Sequence, residues 1–373
     1  MAVQIRHKVL YPCLTLNMIL RSENNMGNII IPFIVSIIIS LSMTPVAKRL
    51  AVKIGAVDVP KDERRVHKKP MPLMGGVAIY ISIIITSIIF LPMDRTLISI
   101  IIGGTIILVS GIIDDVKGLS PRAKLIFQIG AAIVLILGDV KIEPITNPFT
   151  KSSSLIPLNG FGIPITIFWV VGITNTLNLI DGLDGLAAGV AMIASLSFLF
   201  VANKFDYISI MVISSIVAGS CLGFLPYNFN PAKIFMGDTG ALFLGFILAA
   251  LSIEGVMKSV ATIAVVVPII ILGVPIFDTT FAIFRRLLNG KSIAEADKGH
   301  LHHRLLKMGF SQKKTVIILY SISVVFGLCA ILIAKANSKR AVILSVIVFI
   351  ITILLARKMG LISSKREDYN EED

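Results

Sequence analysis

The sequence predicts an all-α polytopic membrane protein with about eleven transmembrane helices, and two observations carry that prediction. Apolar residues make up 55% of the 373 positions and charged residues only 15%, whereas a soluble domain carries about a quarter charged residues. Apolar runs of spanning length also recur from Asn28 almost to the C-terminus. Such a run needs roughly 20 residues to cross a hydrocarbon core of about 30 Å.

The predicted spans cover almost the whole chain, and no stretch between them is long enough to bury a core of its own. We therefore expect one membrane domain at 28–356, preceded by an extension at 1–27 with Met26 as an alternative start, and followed by a charged cytoplasmic tail at 357–373. The three cysteines show no paired or metal-spaced pattern. The spans are 28–47, 73–92, 96–113, 122–138, 161–180, 185–202, 207–227, 240–256, 259–284, 315–334 and 340–356.

The distribution of basic residues predicts the orientation of the helices. With the N-terminus outside and the C-terminus in the cytoplasm, the inner loops and the C-terminal tail hold about three times as many Lys and Arg residues as the outer loops, as the positive-inside rule expects. The net charge of +13 then reports topology and attraction to anionic membrane lipids. A nucleic-acid partner is not expected, because there is no basic soluble module.

The first inner loop carries a basic run at 61–69, followed by Gly75 and Gly76 at the start of the second span. Basic residues beside a membrane are most often a topology signal. The alternative is capture of an anionic head group, with the two glycines letting the backbone approach a phosphate closely.

The second inner loop places two adjacent acids, Asp114 and Asp115, at the end of an apolar helix. Acids at such a depth are usually functional, although an aqueous helix end is the simpler alternative. A divalent cation relieves the repulsion between neighbouring carboxylates, and Mg²⁺ is typically held by one or two carboxylates plus substrate phosphates. Arg122 and Lys124, close behind, suit a metal-bound phosphate.

The third motif spans 175–186 and contains Asn178, Asp181 and Asp184 at three-residue spacing. This spacing puts the three side chains near one helical face if the turn persists, while Gly182 and Gly185 permit a break between two spans. Oxygen ligands would then meet at an inter-helix turn. Asp-Gly used twice for turn chemistry alone is the alternative.

The fourth motif is Gly-Asp-Thr-Gly at 237–240, directly before an apolar span. Asp238 could simply cap that helix. The same turn can also aim backbone N–H groups and a positive helix dipole at an anion while the Asp238 carboxylate ligates its metal.

The fifth inner loop carries His300, His302, His303 and Arg304. Zinc binding is one interpretation, but the spacing does not let the histidines converge and supplies no fourth ligand. Donation to phosphate or sugar oxygens fits better, and a docked helix without direct chemistry is the third alternative. Upstream, Asp278 lies within a span just after Pro275, which also suits an ion-coupled transporter or a lipid flippase.

Four of these motifs together resemble the polyprenyl-phosphate N-acetylhexosamine-1-phosphate transferases of glycosyltransferase family 4. The resemblance covers about 28–356 and is carried by Asp-Asp at 114–115, the segment 178–185, Gly-Asp-Thr-Gly at 237–240 and His-Leu-His-His-Arg at 300–304. The histidine run is similar to the branch that uses UDP-N-acetylglucosamine in the synthesis of teichoic acid, O-antigen or similar cell-wall polymers. The peptidoglycan branch, phospho-N-acetylmuramoyl-pentapeptide transferase, usually ends this motif in Phe-Glu, where this chain has Arg304 and Leu305.

The resemblance implies transfer of N-acetylglucosamine 1-phosphate from UDP-N-acetylglucosamine to undecaprenyl phosphate at the cytoplasmic face of a bacterial plasma membrane. Mg²⁺, with Mn²⁺ as a substitute, is the implied cofactor, and a homodimer is suggested by the same analogy. The implied metal ligands are Asp115, Asp181 and Asp238. The implied catalytic residues are Asp114, Asp115, Asp181, His300, His302 and His303. The candidate substrate-binding residues are Asn178, Asp184 and Arg304 from these motifs, together with Gly75, Gly76 and Lys124 from the first and second inner loops.

Overall fold

The computed structural model describes residues 26–59, 70–142, 145–146, 155–156, 158, 160–257, 265–290 and 299–358. The predicted basic run at 61–69, most of the extension at 1–27 and most of the tail at 357–373 lie outside these residues. The domain limits proposed from the sequence therefore stay predictions.

The described chain is almost entirely helical, with two short antiparallel hairpins. The first half contains α1 (Gly27–Ile54), β1 (Val57–Asp58), β2 (Met71–Pro72), α2 (Gly75–Phe90), α3 (Arg95–Lys117), α4 (Pro121–Leu137), β3 (Ile145–Thr146), β4 (Leu155–Ile156) and α5 (Gly162–Ile180). The second half contains α6 (Leu186–Lys204), α7 (Ile208–Asn228), α8 (Gly237–Ser252) with a π-helical turn (Ile253–Met257), α9 (Val266–Ile271), α10 (Gly273–Leu288), α11 (Leu301–Lys307), α12 (Gln312–Lys335) and α13 (Ser338–Lys358).

Eight of the described helices are long and apolar enough to cross a membrane, which confirms an all-α polytopic membrane protein. The predicted count of eleven spans is not confirmed. The helices α2 and α4, at 16 and 17 residues, are shorter than the roughly 20 residues of a typical span. The predicted span at 259–284 is broken at Leu272 between α9 and α10, and 258–264 lie outside the described residues.

Side-chain caps set the starts of two helices that carry site residues. Asp94 accepts a hydrogen bond from the Leu97 amide at 2.8 Å at the start of α3. Ser120 accepts one from the Ala123 amide at 3.3 Å at the start of α4. Each cap supplies a partner for one of the amides that a helix start leaves without one.

The helix α8 forms the centre of the bundle, since every residue from Thr239 to Ser252 is buried. It packs against α3 and α5, while α1 packs on α7 and α6 packs on α7 and α12. Large apolar side chains are exposed on the outer helices, among them Ile38, Phe168, Leu328 and Leu354. That distribution is expected where lipid, which is as apolar as a protein core, surrounds the bundle.

Small hydroxyl side chains join α1, α2 and α7 inside the bundle. Ser82 donates to the Ser36 carbonyl at 2.7 Å, and Ser40 donates to the Ser220 carbonyl at 2.7 Å. The Ser82 and Ser220 hydroxyls also lie 2.8 Å apart. Because lipid offers polar groups no partners, such contacts satisfy them internally while small residues let the helices approach closely.

Candidate functional site

Three carboxylates from two helix ends converge at one end of the bundle. Asp114 and Asp115 lie in the last turn of α3, and Asp238 lies in the first turn of α8. Each offers an oxygen, and these oxygens all lie within 4.8 Å of one another. The structure therefore brings together residues 123 to 124 positions apart in the chain.

Lys124, in the first turn of α4, is the cation of this acid cluster. Its Nζ lies 2.7 Å from Asp114 Oδ2 and 2.5 Å from Asp238 Oδ2, and its side chain is 22% exposed. Asp114 Oδ1 meanwhile accepts from the Leu119 amide at 2.6 Å, which fixes the tight connection between α3 and α4. One positive charge thus faces three carboxylates.

Asp115 holds the start of α8. Its Oδ1 accepts from the Asp238 amide at 2.9 Å, and its Oδ2 accepts from the Thr239 amide at 3.2 Å and the Thr239 hydroxyl at 2.5 Å. A carboxylate at a helix N-terminus is favoured by the free amides and the dipole there. Asp238 lies inside this first turn and makes no cap of its own, so Asp115 performs the capping role that the sequence offered as the simple alternative for Asp238.

Asn178 and Asp181 approach the acid cluster from the end of α5. The Asn178 side-chain amide donates to Asp238 Oδ2 at 3.4 Å. Asp181 follows the last residue of α5, outside the group of three carboxylates. Burial, together with the negative charges of Asp238, Asp115 and Asp184, raises the pKa of Asp181 to about 8. Additional positive charge at this place would therefore be favourable.

Asp184 turns away from the cluster because the helix ends before it. Its Oδ2 accepts from the Asn230 side chain and from the Ala232 amide, each at 3.0 Å. Asn230 donates in turn to Gln312 Oε1 at 2.7 Å. The expected common helical face of Asn178, Asp181 and Asp184 is therefore not formed: α5 ends at Ile180, and Asp184 tethers the loop that leads into α8.

The histidine segment is anchored at a buried acid. His300 Nδ1 lies 2.8 Å from Asp278 Oδ2, and the Leu301 amide donates to Asp278 Oδ1 at 2.7 Å. His302 is buried, and its ring centroid lies 4.2 Å from that of His303. Burial, with a smaller contribution from the charge of His303, lowers the pKa of His302 to about 4, so His302 is neutral at pH 7.

This segment lies against the turn that follows α5. A Cβ placed on Gly182 would lie 2.7 Å from His302 Nε2, so the glycine gives the imidazole room beside Asp181. Arg304 Nε donates to the Gly299 carbonyl at 3.2 Å. The histidines and the acid cluster thus meet on either side of one turn.

Gly75 and Gly76 lie beneath the acid cluster. Their amides donate to the carbonyls of Phe235 and Met236, each at 3.0 Å, and a Cβ on Gly76 would overlap the backbone at Gly240. These glycines therefore let α2 pack tightly on the start of α8. Phosphate binding by the two glycines stays a prediction, and both amides already have a partner.

A groove of about 450 Å³ opens next to the loop that leads into α8. Its lining combines apolar and cationic side chains: Pro45, Lys48, Arg49, Val52, Tyr227 and Lys233. Within the described residues no carboxylate is paired with these three cations. The end of the bundle that carries the acid cluster therefore also carries positive charge.

Two contributors were not among the site residues predicted from the sequence. Thr239 contacts Asp115 through both its amide and its hydroxyl, and Asp278 pairs with His300 across 22 residues. Thr239 is part of the quoted Gly-Asp-Thr-Gly motif, so a signal was present. For Asp278 the only signal was an acid in an apolar stretch.

The acid cluster fits a hard divalent cation by the chemistry of its donors. Carboxylate oxygens are the ligands that Mg²⁺ and Mn²⁺ prefer, and Asp114, Asp115 and Asp238 supply them from rigid helix ends. Among the side chains that the structure describes, Lys124 is the one cation paired with the cluster, which leaves excess negative charge when all three acids are ionised. The predicted ligands Asp115 and Asp238 are in the cluster, and metal binding by Asp181, which lies outside the group of three, stays a prediction.

Comparison with known proteins gives consistent results. The pattern of the family described as glycosyl transferase family 4 matches residues 97–256. A probable undecaprenyl-phosphate N-acetylglucosaminyl 1-phosphate transferase of Bacillus subtilis (strain 168) is 43% identical over 352 residues, covering 94% of this chain and 97% of that protein.

Two further relatives are more distant. A decaprenyl-phosphate N-acetylglucosaminephosphotransferase of Mycobacterium tuberculosis (strain CDC 1551 / Oshkosh) is 34% identical over 83% of this chain and 84% of its own length. A phospho-N-acetylmuramoyl-pentapeptide-transferase of Halalkalibacterium halodurans is 32% identical over 81% of this chain and 95% of its own length.

Proposed function

The chain belongs to glycosyl transferase family 4, and from that premise we propose that it transfers N-acetylglucosamine 1-phosphate from UDP-N-acetylglucosamine to undecaprenyl phosphate. The products are undecaprenyl-diphospho-N-acetylglucosamine and UMP, and the reaction begins the membrane phase of a cell-wall or surface polysaccharide. The observation that carries the proposal is the acid cluster with Lys124 at one end of an apolar bundle, in a chain 43% identical to a relative of that name.

The location of the site suits a reaction between a lipid and a soluble nucleotide. Asp114, Asp115 and Asp238 lie at helix ends, where water and the membrane interface meet. We place this end in the cytoplasm, with the N-terminus outside and the C-terminus inside, because the inner loops carry the excess of basic residues. The cations of the groove face anionic lipid in this orientation.

The reaction forms one phosphorus–oxygen bond and breaks another. An oxygen of the lipid phosphate attacks the sugar-proximal phosphorus of the donor, and the bond from that phosphorus to the bridging oxygen breaks, so UMP leaves with that oxygen. A phosphate monoester has a second pKa of about 6, and the acceptor is therefore mostly dianionic at neutral pH. The harder task is to bring anions together and to stabilise charge on the transferring group.

The side chains divide this task. Lys124 supplies a cation beside the phosphates, and Asp114 and Asp238 hold its ammonium in place. Asp115 aims Asp238 by fixing the first turn of α8. Asn178, the histidines and Arg304 donate to phosphate and sugar oxygens from the other side of the turn, with His302 acting as a neutral donor at pH 7.

We assign the acid cluster together with the neighbouring Asp181 as the site for Mg²⁺, which Mn²⁺ can replace, with Asp115, Asp181 and Asp238 as ligands and Asp114 at its edge. When bound, the cation supplies positive charge to the diphosphate. Assembly as a homodimer also stays a proposal, and the mass of the purified protein in nanodiscs tests it.

The first experiment offers the purified protein undecaprenyl phosphate, Mg²⁺ and either UDP-N-acetylglucosamine or UDP-N-acetylmuramoyl-pentapeptide, and follows UMP release. Release from the first donor only, abolished by chelation and by Asp238→Asn, supports the proposal. If UMP is released only from the second donor, the chain has the function named for the Halalkalibacterium relative. No release from any nucleotide sugar contradicts transferase activity and favours transport, although the three relatives described above are all named as transferases.

A further inference from the structure

The contact between Asp278 and the histidine segment joins a bundle helix to a connecting loop. Asp278 lies in the first half of α10, two residues after the first turn that contains Pro275, and its side chain is 3% exposed. His300 and Leu301 lie at the start of α11. Between α10 and α11 the chain runs through 291–298, outside the described residues, so this contact ties the far end of that connection to the bundle.

Both carboxylate oxygens of Asp278 form hydrogen bonds, and both bonds are to the histidine segment. Oδ2 lies 2.8 Å from His300 Nδ1, and Oδ1 accepts from the Leu301 amide at 2.7 Å. The second contact provides a partner for an otherwise free amide at a helix start. Two bonds from one rigid side chain fix both the direction of α11 and the plane of the His300 ring.

The contact also sets which nitrogen of His300 holds the proton. An ionised carboxylate only accepts hydrogen bonds, so Nδ1 of His300 carries a proton and donates it. The other ring nitrogen, Nε2, is then the one that can accept a bond in the neutral ring or donate one in the charged ring. A carboxylate behind a functional histidine commonly fixes tautomer and orientation in this way.

The orientation is passed on to the other histidines. The rings of His300 and His302 are nearly parallel, at 9° and 5.9 Å between centroids, and the His302 and His303 centroids are 4.2 Å apart. His302 in turn packs against Gly182, beside Asp181. A shift of His300 would therefore move the imidazoles that face the turn between α5 and α6.

We propose that Asp278 is a positioning residue, which through His300 and Leu301 holds the histidines at 300–303 against the turn at 181–184 in the geometry that the transfer reaction needs. The inference rests on the proposed function for its kinetic consequence. Its structural part, the anchoring of the segment by Asp278, is independent of the substrate.

The test compares Asp278→Asn with Asp94→Asn. Asp278→Asn replaces a carboxylate that accepts two hydrogen bonds by a carboxamide. The carboxamide oxygen can still accept from the Leu301 amide, but its NH2 group faces His300 Nδ1. The second changes a capping acid of the same type at the start of α3, where it accepts from the Leu97 amide. Both variants are purified and compared with the wild type for folding, for kcat and KM with each nucleotide sugar, and for the pH dependence of kcat.

We expect Asp278→Asn to lower kcat by about 10- to 100-fold, the range found when a metal-ligating histidine loses its hydrogen-bonding partner, and to change the pH profile of kcat, while Asp94→Asn leaves both unaltered. The double variant with Asp278→Asn and His300→Gln should have the same kcat as His300→Gln alone, because the effects of residues that act as a unit are not additive. Unaltered kcat and pH profile in Asp278→Asn, or multiplying effects in the double variant, would overturn the proposal.

A second readout does not depend on activity. Diethyl pyrocarbonate modifies accessible imidazoles, and mass spectrometry of the peptide at 299–307 reports the extent of reaction at each histidine. Asp278→Asn and His300→Gln, which lacks a donor at the Nδ1 position, should both raise modification of His302 and His303, whereas His300→Asn, which keeps one, should not. Equal modification in all of them refutes the anchor even if the wild type is an active transferase. Conversely, raised modification in a protein without transferase activity supports the anchor and refutes the proposed function.

Discussion

Neutralising Lys124 should strengthen metal binding while it weakens the reaction. The Lys124 ammonium lies 2.7 Å from Asp114 and 2.5 Å from Asp238, so it competes with a metal ion for Asp238 and repels that ion. In Lys124→Gln the cluster keeps its three acids and loses its only adjacent positive charge among the described side chains. The resting site therefore becomes a better cation site and a poorer phosphate site.

The size of the effect follows from the distances. A unit charge about 4 Å from a divalent cation repels it by about 2 kcal/mol in water, twice the energy for two unit charges, and by about 8 kcal/mol at an effective dielectric constant of 20. Because the Lys124 side chain is 22% exposed, we take the lower value, about 2 kcal/mol. That value tightens the Kd for a cation by roughly 30-fold. Loss of one cation at the transferring phosphate should lower kcat by about 100-fold.

Two assays measure the two effects separately. Electron paramagnetic resonance of free Mn²⁺ gives the Kd of the purified protein without substrates, and UMP release gives kcat. Lys117→Gln is the matched control, because Lys117 is exposed at the end of α3 and has no ion pair within the described residues. Weaker Mn²⁺ binding in Lys124→Gln, or equal changes in both variants, would refute a metal site at the acid cluster beside Lys124.

Three further predictions concern the neighbours of the cluster. Asp115→Asn should lower the thermal midpoint in detergent by several degrees, because the amide keeps one acceptor oxygen but turns an NH2 group towards the rest of the three donors, at about 1 to 3 kcal/mol for an unsatisfied buried group. Asp238→Asn should instead abolish turnover and leave the thermal midpoint equal or higher, and equal midpoints in the two variants would contradict the capping role of Asp115. The pKa of His302, about 4, lies below its ordinary value of 6.5, so the folded protein should lose stability as pH falls from about 6.5 to 4, by at most about 3 kcal/mol. The thermal midpoints at pH 7 and pH 5 should therefore differ less in His302→Gln than in the wild type. An unchanged difference would refute burial of a neutral ring. Gly182→Ala should lower kcat by about tenfold because its Cβ would lie 2.7 Å from His302 Nε2, while Gly172→Ala, where nothing lies within 4 Å, should not; equal kcat values would refute the packing of His302 on the turn.

The sequence predicts the helices better than the ends of the helices. Hydropathy places a span at 96–113, but α3 continues to Lys117, so the predicted loop acids are helical residues. Hydropathy responds to apolar side chains, whereas Gly118 and the Ser120 cap end one helix and begin the next. The same applies to α8, which begins at Gly237 and takes Asp238 into its first turn.

Motifs identified the residue types of the site but not their partners. Nothing local pairs Asp115 with Thr239 or Lys124 with Asp238, since more than 100 residues separate each pair. Asp184 was expected with Asn178 and Asp181 on one helical face, and only the actual end of α5 at Ile180 shows that it turns to Ala232. Contacts between side chains far apart in the sequence depend on helix packing, about which a short motif carries no information.

The geometry of the acid cluster also depends on apolar contacts between helices, at positions where a glycine allows close approach. Asp115 reaches the start of α8 because the two helices pack closely where Gly111 of α3 meets Thr239. On the other side of α8, Gly76 of α2 meets Gly240. A side chain at either glycine would push a helix away and separate carboxylates that now lie within 4.8 Å. A shift of about 1 Å can cost about 100-fold in rate, so these small residues are as necessary to the geometry of the site as the acids are to its charge.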